Sequence, residues 1–326
     1  MKSFLEKEDF IFSTKVYQRI AYDNNEKEDK LFEIEKVAEK ATLIMKEFEE
    51  KLSFFKEKSE ISEINRKATQ GFTKVSFDTF EILKKSAYYS KLTNGIFDIT
   101  IAPLVKEWAI NSDNPKVLTN DRVNELLTLV DSEDVILNET NLSVMLLREK
   151  QKIDLGGIAK GYIADKIIEF YKSNNIESAI INIGGNIKVL GRKNKEQLWN
   201  VGIFEPKKHS TNVICSIEVE NKSIVTSGGY ERAFKYNNEL YCHILNAKTG
   251  YPVKSDLKSI TIVSDESIEG DALSTPLFIM GKEQAYEFMK KNNVSGIMVT
   301  DKNEIIITKD LLKGFKLFED YKVLFF

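Results

Sequence analysis

The segment from Ile153 to Tyr162, IDLGGIAKGY, constrains this 326-residue chain more than any other. Three glycines, an aspartate and a lysine separate an apolar, strand-like stretch from a helix-like one. A glycine turn of this kind lets the backbone approach a ligand closely, and the helix that follows directs its N–H groups at anions. The segment therefore predicts a strand–turn–helix unit that faces an anionic ligand.

The composition limits the class of protein. Apolar residues form 42% of the chain, which is enough for a sizeable core and argues against a disordered protein. The 47 basic and 50 acidic residues give a net charge of −3, whereas proteins built to bind nucleic acid usually carry a basic excess. Because only two histidines occur, a multi-histidine metal site is excluded, and a metal held mainly by oxygen, such as Mg²⁺, is favoured.

Several absences bear on the compartment. The two cysteines, Cys215 and Cys242, are too few for a disulfide framework, and we interpret them as buried or incidental thiols. Residues 1–9 have no apolar signal core, and no run of about 18 apolar residues occurs anywhere. We therefore predict a protein without a membrane span that works in the cytoplasm, with a trimmed, exported protein as the alternative.

Hydrophobic periodicity gives the expected elements. Apolar spacing of about 3.6 residues predicts helices over 27–52, 59–65, 78–92, 121–129 and 157–173. Apolar runs predict strands over 10–22, 135–137, 143–147, 179–183, 187–190, 199–203, 213–219 and 223–225. Because strands and helices do not alternate regularly, we predict an α+β fold with mainly antiparallel strands. No linker is evident, so one bilobal catalytic domain over 1–326 is expected.

Asp271 and Thr275 are the candidate metal ligands. They lie four residues apart in a helix-like stretch, which places both side chains on one face. Their two hard oxygens suit Mg²⁺, with phosphate and backbone oxygens needed to complete its six positions. The alternative is an N-terminal helix cap made by Asp271 and Ser274. Pro276 predicts a kink, because proline lacks the amide that would bond the Ala272 carbonyl.

His243 is the candidate base. It lies in a strand-like run over 240–245, just before a Thr-Gly turn. A neutral imidazole accepts a proton near pH 7, although a lone histidine is often purely structural. Lys160 follows the glycine turn and is a candidate partner for a phosphate, with an exposed helix lysine as the alternative. His209 falls in a polar loop, and we interpret it as a surface residue.

Four further segments follow the glycine turn in order, NIGGN at 182–186, TSGGY at 226–230, HILNAKTG at 243–250 and DALST at 271–275. Together with the turn, this set resembles the ApbE family, the FAD:protein FMN transferases. The resemblance runs from about Ser13 to the C-terminus. It implies a T-fold-like, bilobal α+β architecture with largely antiparallel sheets, flanking helices and an FAD cleft.

The resemblance assigns roles to the candidate residues. It implies that Asp271 and Thr275 ligate Mg²⁺ together with the main-chain carbonyl of Gly157, and that Ser274 adds a backbone contact. His243 matches the histidine of the family's His-Ile…Thr-Gly segment, a candidate general base for an acceptor hydroxyl. Lys160 matches a residue that contacts FAD, so we expect it beside the pyrophosphate.

The resemblance also implies contacts with the FAD molecule, from Phe12, Phe55, Ile96, Phe97, Asp98, Asp154 and Leu245. The 95–98 segment, GIFD, matches one that lies against the adenosine half of FAD. There Asp98 is expected to bind ribose or adenine, and a capping role around Thr100 is the alternative. Phe55 stands where tyrosine is common, so it keeps a stacking face but lacks the phenol hydroxyl.

The activity implied by the resemblance is transfer of FMN from FAD to a serine or threonine hydroxyl of an acceptor protein, with release of AMP. The acceptors implied carry a short Asp-x-x-[Ser/Thr]-Gly-type motif. An FAD pyrophosphatase, in which water replaces the hydroxyl, would use the same residues. A flavin-binding protein without catalysis is the third alternative; the presence of His243 disfavours it, since binding alone needs no base beside the phosphate.

Overall fold

The computed structural model describes residues 2–23 and 28–326 of the chain. Its helices are α1 Glu28–Leu52, α2 Glu60–Arg66, α3 Phe77–Leu92, α4 Ala102–Trp108, α5 Asn120–Leu127, α6 Ala159–Ser173 and α7 Ser267–Asn292. Short 3₁₀ turns occur at Ile99–Ile101, Ser132–Asp134 and Lys309–Gly314. Within the described ranges, none of these helices is both long enough and apolar enough to cross a bilayer.

Seventeen strands accompany these helices in the described residues. The first nine are β1 Lys2–Ile11, β2 Thr14–Asp23, β3 Thr73–Lys74, β4 Val135–Asn138, β5 Ser143–Leu146, β6 Ala179–Ile183, β7 Asn186–Leu190, β8 Trp199–Phe204 and β9 Val213–Val219. The others are β10 Ser223–Gly228, β11 Ala233–Tyr236, β12 Glu239–Cys242, β13 Leu257–Ser264, β14 Ser295–Thr300, β15 Glu304–Ile307, β16 Phe315–Leu317 and β17 Lys322–Phe325.

The predicted helices are all present, with ends shifted by one or two residues. Ser59 caps α2, since its hydroxyl accepts a hydrogen bond from the Ser62 amide at 2.9 Å. The first residue predicted for α1, Lys27, lies outside the described residues. The helix predicted from residue 157 begins only at Ala159, because Gly157 belongs to the preceding turn.

The single strand predicted over 10–22 is wrong. The chain instead forms a hairpin, in which β1 and β2 pair over their whole length around a two-residue turn at Phe12 and Ser13. Both turn residues have positive φ, 57° and 55°, as in the turns that match strand twist. The Phe12 amide donates to Oε1 of Glu49 on α1 at 2.6 Å, which ties the turn to that helix.

One large sheet organises the molecule. Its strand order is β1-β2-β6-β7-β10-β13-β14-β15-β17, and every pairing is antiparallel except β15 with β17. Smaller sheets are β16-β9-β8, β3-β5-β4 and the hairpin β11-β12. The mixture of largely antiparallel sheets with flanking helices confirms the predicted α+β class. The assignment of 1–326 to a single domain stays a prediction.

The two faces of the large sheet bury different partners. Along β14, Met298 packs in the core formed with α1, α6 and α7, whereas Ile297 and Val299 pack against the β16-β9-β8 sheet. This alternation follows from the two-residue period of a strand. A third, smaller core surrounds Trp108 and includes Leu245. The helical layer on one face is the one that carries the candidate site residues.

Helices α6 and α7 cross at Gly161. A Cβ added to Gly161 would lie 2.4 Å from the Ser267 carbonyl oxygen and 2.6 Å from the Cα of Ile268. Asp165, one turn along α6, accepts hydrogen bonds from the amides of the same two residues at 2.8 and 2.9 Å. Glycine is therefore required for the two backbones to meet at this distance, and the Asp165 carboxylate satisfies the first free amides of α7.

We predict that Gly161→Ala destabilises the protein by about 1–3 kcal/mol or more, because the added methyl group meets rigid backbone and not a movable side chain. Urea unfolding followed by circular dichroism measures the change. Lys172→Ala, at an exposed position of the same helix, is the matched control and should leave the midpoint nearly unchanged. Equal midpoints for Gly161→Ala and the control would contradict the close crossing.

Candidate active site

The crossing of α6 and α7 places an acid at the start of a helix. Oδ2 of Asp271 accepts a hydrogen bond from the Gly161 amide at 2.9 Å. Asp271 is only 5% exposed, and its contact lies in the first turn of α6, where the helix dipole favours negative charge. The structure thus joins the glycine turn to the Asp271–Thr275 segment, although 110 residues separate the two in sequence.

Asp271 does not cap its own helix, but it satisfies a free amide of another helix, that of Gly161 in the first turn of α6. Helix α7 begins at Ser267, so Asp271 lies in its fifth position, beyond the free amides that a cap satisfies. Pro276 lies inside α7, but the only residue there with non-helical dihedral angles is Gly281, at φ 75° and ψ 178°. The break expected at Pro276 therefore falls five residues later, where glycine adopts a positive φ without a Cβ penalty.

Three hydroxyl groups lie together next to Asp271. The Ser227 hydroxyl on β10 lies 2.9 Å from that of Ser274 and 3.2 Å from that of Thr275. The Ser274 hydroxyl also reaches the Asp271 carbonyl at 3.3 Å. The side chains of Ser274 and Thr275 are thus held against the sheet, one turn after Asp271, as the four-residue spacing predicts.

The oxygen atoms of Asp271 and Thr275 fit Mg²⁺, but they do not suit a metal that is bound by protein side chains alone. Among the described residues, no three or more histidine, cysteine, aspartate or glutamate side chains form a metal-binding group. Asp271 and the hydroxyl of Thr275 offer hard oxygens, and Mg²⁺ commonly binds one or two such ligands while keeping water or substrate phosphates. Which residues ligate a metal stays a prediction.

Lys160 lies between the turn and the acid. Its Nζ donates to the Gly156 carbonyl at 2.8 Å and lies 3.7 Å from Oδ1 of Asp271. The side chain is 27% exposed, so the alternative of a fully exposed helix lysine does not hold. A lysine fixed in this way offers a localised positive charge at the helix start, which is suited to a phosphate.

His243 directly follows β12, and its position is held by Arg232, the residue before β11. The Arg232 carbonyl accepts the His243 amide at 2.9 Å and lies 3.2 Å from Nδ1 of the imidazole ring. A carbonyl only accepts, so this contact requires hydrogen on Nδ1 and leaves Nε2 with a free lone pair. The free Nε2 is the atom that can receive a proton.

The surroundings keep His243 neutral. Its burial, followed by the positive charge of Arg232, lowers the pKa of His243 to about 4; the hydrogen bond to the Arg232 carbonyl opposes the shift, and the charge of Lys160 adds the smallest contribution. Burial and the neighbouring Arg232 are thus the main reasons for the low pKa of His243. At neutral pH the imidazole is unprotonated, as a general base must be.

Asp154 and Phe97 contact the glycine turn. The Asp154 carboxylate accepts the Gly156 amide at 2.9 Å, and burial raises the pKa of this carboxyl group. Phe97 is buried, and a Cβ at Gly157 would lie 3.5 Å from its ring. Asp154 and Phe97 thus lie at the turn, and their contacts here are with the protein.

Asp98 behaves as the capping alternative describes. Its Oδ1 accepts from the amide and hydroxyl of Thr100 at 2.8 and 2.6 Å, and its Oδ2 accepts from the Ser132 amide at 3.0 Å. Burial raises the pKa of this carboxyl group, while these hydrogen bonds oppose the rise. A contact with FAD stays a prediction for Asp98, and any such contact would have to share oxygens that already bond the protein.

The other predicted FAD contacts are more dispersed. Phe55 is 83% exposed, with its ring edge-on to Phe54. Phe12 is half-buried in the hairpin turn, and Ile96 is half-buried next to Gly95. Leu245 is buried, and its side chain packs in the small core around Trp108. Contact between these residues and FAD remains a prediction.

Sequence reasoning missed two members of the site. Ser227 lies within the TSGGY segment, but nothing in the pattern singled out its hydroxyl. Arg232 follows that segment by two residues and matters through its backbone carbonyl, which no side-chain pattern reports. The interpretation of His209 as a surface residue and of both cysteines as buried thiols is confirmed.

Comparison with known proteins agrees with this geometry. The model of the ApbE family matches residues 11–298. The chain belongs to the ApbE family. It is 32% identical over 275 residues to the FAD:protein FMN transferase of Klebsiella pneumoniae (strain 342), a match that covers 84% of this chain and 85% of that protein. It is 29% identical to the FAD:protein FMN transferase of Treponema pallidum (strain Nichols), covering 79% and 75%.

Solved structures of the family share the fold. The ApbE protein of Thermotoga maritima MSB8 superposes with a TM-score of 0.84 at 29% identity, covering 94% of this chain and 98% of that one. The flavin transferase ApbE of Vibrio cholerae gives a TM-score of 0.81 at 22% identity, covering 98% and 97%. The predicted resemblance to the ApbE family is confirmed.

The lowered pKa of His243 makes a prediction about pH. Ring-labelled histidine NMR should show a resonance that titrates with a midpoint of about 4. Because this pKa is depressed, neutral His243 persists as the pH falls from 7 to 5 and is lost only as it falls through about 4. His243→Asn assigns the resonance by removing it. A midpoint near 6.5, the ordinary value, would show that the imidazole is neither buried nor flanked by cations.

Proposed function

We propose that this chain transfers FMN from FAD to a serine or threonine hydroxyl of an acceptor protein and releases AMP. The observation that carries the proposal is the buried Asp271 carboxylate at the start of α6, bonded to the Gly161 amide and 3.7 Å from the Lys160 ammonium, in a chain that also holds His243 as a neutral imidazole. The names of the relatives supply the substrate class, since they are FAD:protein FMN transferases.

The pyrophosphate of FAD is proposed to bind at the start of α6. There Lys160 provides charge, and the turn through Gly157 allows close approach of the backbone. Asp271, Thr275 and the Gly157 carbonyl would hold Mg²⁺, with Ser274 adjacent. When bound, Mg²⁺ supplies positive charge that neutralises the two phosphates and stabilises the AMP leaving group.

His243 is proposed to act as the general base. Nε2 accepts the proton of the acceptor hydroxyl, while the hydrogen bond from Nδ1 to the Arg232 carbonyl fixes the ring and its tautomer. The hydroxyl oxygen forms a bond to the FMN-side phosphorus as the bond from that phosphorus to the bridging oxygen breaks. That oxygen leaves with AMP, and the FMN remains as a phosphoester on the acceptor.

The acceptor is proposed to carry an Asp-x-x-[Ser/Thr]-Gly-type motif. FAD contacts by Phe12, Phe55, Ile96 and the others implied by the family resemblance belong to the same proposal. The cytoplasmic location stays a prediction from the sequence.

The activity is tested by intact-mass spectrometry of an acceptor protein incubated with this chain, FAD and Mg²⁺. We expect the mass of one FMN phosphoester to be added, and His243→Ala to slow its appearance by roughly 10²–10⁴-fold while FAD still binds. Lys195→Gln, an exposed change, is the control. Free FMN and AMP with an unmodified acceptor would identify a pyrophosphatase, and intact FAD would identify a binding protein.

The metal role of Asp271 is tested with two substitutions. Asp271→Asn keeps an oxygen that can accept the Gly161 amide but removes the charge, so the Mg²⁺ concentration for half-maximal activity should rise at least about ten-fold. Asp271→Ala should lose most of the Mg²⁺-dependent activity. Asp265→Asn, an exposed acid just before α7, is the control. An unchanged Mg²⁺ response in Asp271→Asn would place the metal elsewhere.

A further inference from the structure

A cavity of about 360 Å³ lies beside the hairpin that precedes His243. One wall is the loop that joins β8 to β9, over residues 204–210, and the other is formed by residues 230–232. The volume is at the lower end of the range for small-ligand pockets. The roles proposed for the glycine turn and α7 do not use this cavity, which shares no lining residue with them.

Three basic side chains line this cavity without an ionic partner. Lys207, Lys208 and Arg232 form no ion pair with any side chain in the part of the chain that the structure describes, and all three are exposed. Two acids, Glu205 and Glu231, also line it. The lining thus has one more positive than negative charge, which suits a ligand that brings a single carboxylate more than one with a dianionic phosphate.

Arg232 connects this cavity to the proposed base. Its carbonyl holds both the amide and Nδ1 of His243, and Arg232 is also one of the residues that line the cavity. A group that pairs with the guanidinium would therefore bind the same residue whose carbonyl orients the imidazole. The cavity therefore adjoins the backbone segment that orients His243.

The other walls suit a polypeptide. Phe204, which is 51% exposed, and the half-buried Tyr230 both line the cavity. Aromatic side chains next to a few charged groups are typical of surfaces that bind protein segments. The pyrophosphate of FAD has its own proposed position at Lys160, on the α6 side of His243.

We infer that this cavity receives the acceptor-protein segment that carries the reactive hydroxyl, and that Arg232, supported by Lys207 and Lys208, pairs with an acidic side chain of that segment. The inference rests on the proposed transferase function and extends it to the recognition of the second substrate. It separates the two binding sites, with FAD at the α6–α7 junction and the acceptor between the β8–β9 loop and Arg232.

A double-mutant cycle tests the pairing. The probe is a synthetic peptide with a threonine acceptor in an Asp-x-x-Thr-Gly context, compared with the same peptide carrying Asn for Asp. Arg232→Gln keeps the backbone carbonyl that holds His243 but removes the charge. We expect it to raise the KM for the Asp peptide roughly ten-fold and to have little effect with the Asn peptide, because the paired charge is already absent.

Two further variants complete the experiment. Lys207→Glu combined with Lys208→Glu should raise the acceptor KM further, since like charges then face the peptide carboxylate. Lys195→Gln, in the loop before β8 and so at the opposite end of that strand, removes an exposed lysine charge and should change nothing. The KM for FAD is measured in parallel for every variant.

The outcomes separate this inference from the function on which it rests. Transfer with an acceptor KM that does not respond to Arg232→Gln, or that responds equally for both peptides, overturns the pairing while leaving the transferase intact. A rise in the KM for FAD instead would assign the cavity to FAD. The absence of FMN transfer to any acceptor would defeat the proposed function itself.

Discussion

The hydrogen bond from the Gly161 amide to Asp271 is the contact on which the candidate site depends. It exists because Gly161 has no Cβ, so that α6 and α7 approach until their backbones nearly touch. Asp165 fixes the same crossing from the next turn by accepting the first two amides of α7. The register of α7 against α6, and with it the position of Thr275, follows from these two carboxylates.

This arrangement also explains how a buried carboxylate remains available to a metal. Only Oδ2 of Asp271 is used by the Gly161 amide, and Oδ1 faces the Lys160 ammonium at 3.7 Å, beyond ordinary hydrogen-bond length. A buried charge needs a partner, and the Lys160 ammonium is such a partner for Asp271 without forming a hydrogen bond to Oδ1. The hydroxyls of Ser227 and Thr275 add neutral oxygens on the sheet side.

The sequence predicted those parts of the structure that depend on local pattern. The strong apolar period of α1 and α6 placed both helices, and four-residue spacing placed Asp271 and Thr275 on one face. The turn at Phe12 and Ser13 escaped because neither residue is glycine or asparagine, and the tie to Glu49 on α1 that holds it is a tertiary contact.

The same limit applies to α7 and to the site. Proline marked a break at Pro276, but the helix breaks at Gly281, where the Asp256 carboxylate accepts the Lys282 amide at 2.8 Å and so starts the second half. The partner is 26 residues away. The contact of His243 with the Arg232 carbonyl depends on the pairing of the two chain segments that contain these residues. A motif read from side chains alone does not predict such a backbone contact.

The charges around His243 give the site a further property. Burial, and after it the charges of Arg232 and Lys160, hold the pKa of the imidazole low, and a base with so low a pKa has little driving force to take a proton from a hydroxyl. The same two cations are the groups proposed to meet the acceptor carboxylate and the FAD phosphates. On the proposed function, the negative charge of each substrate would oppose only the contribution of the cations to the low pKa of His243, and the larger contribution of burial would remain.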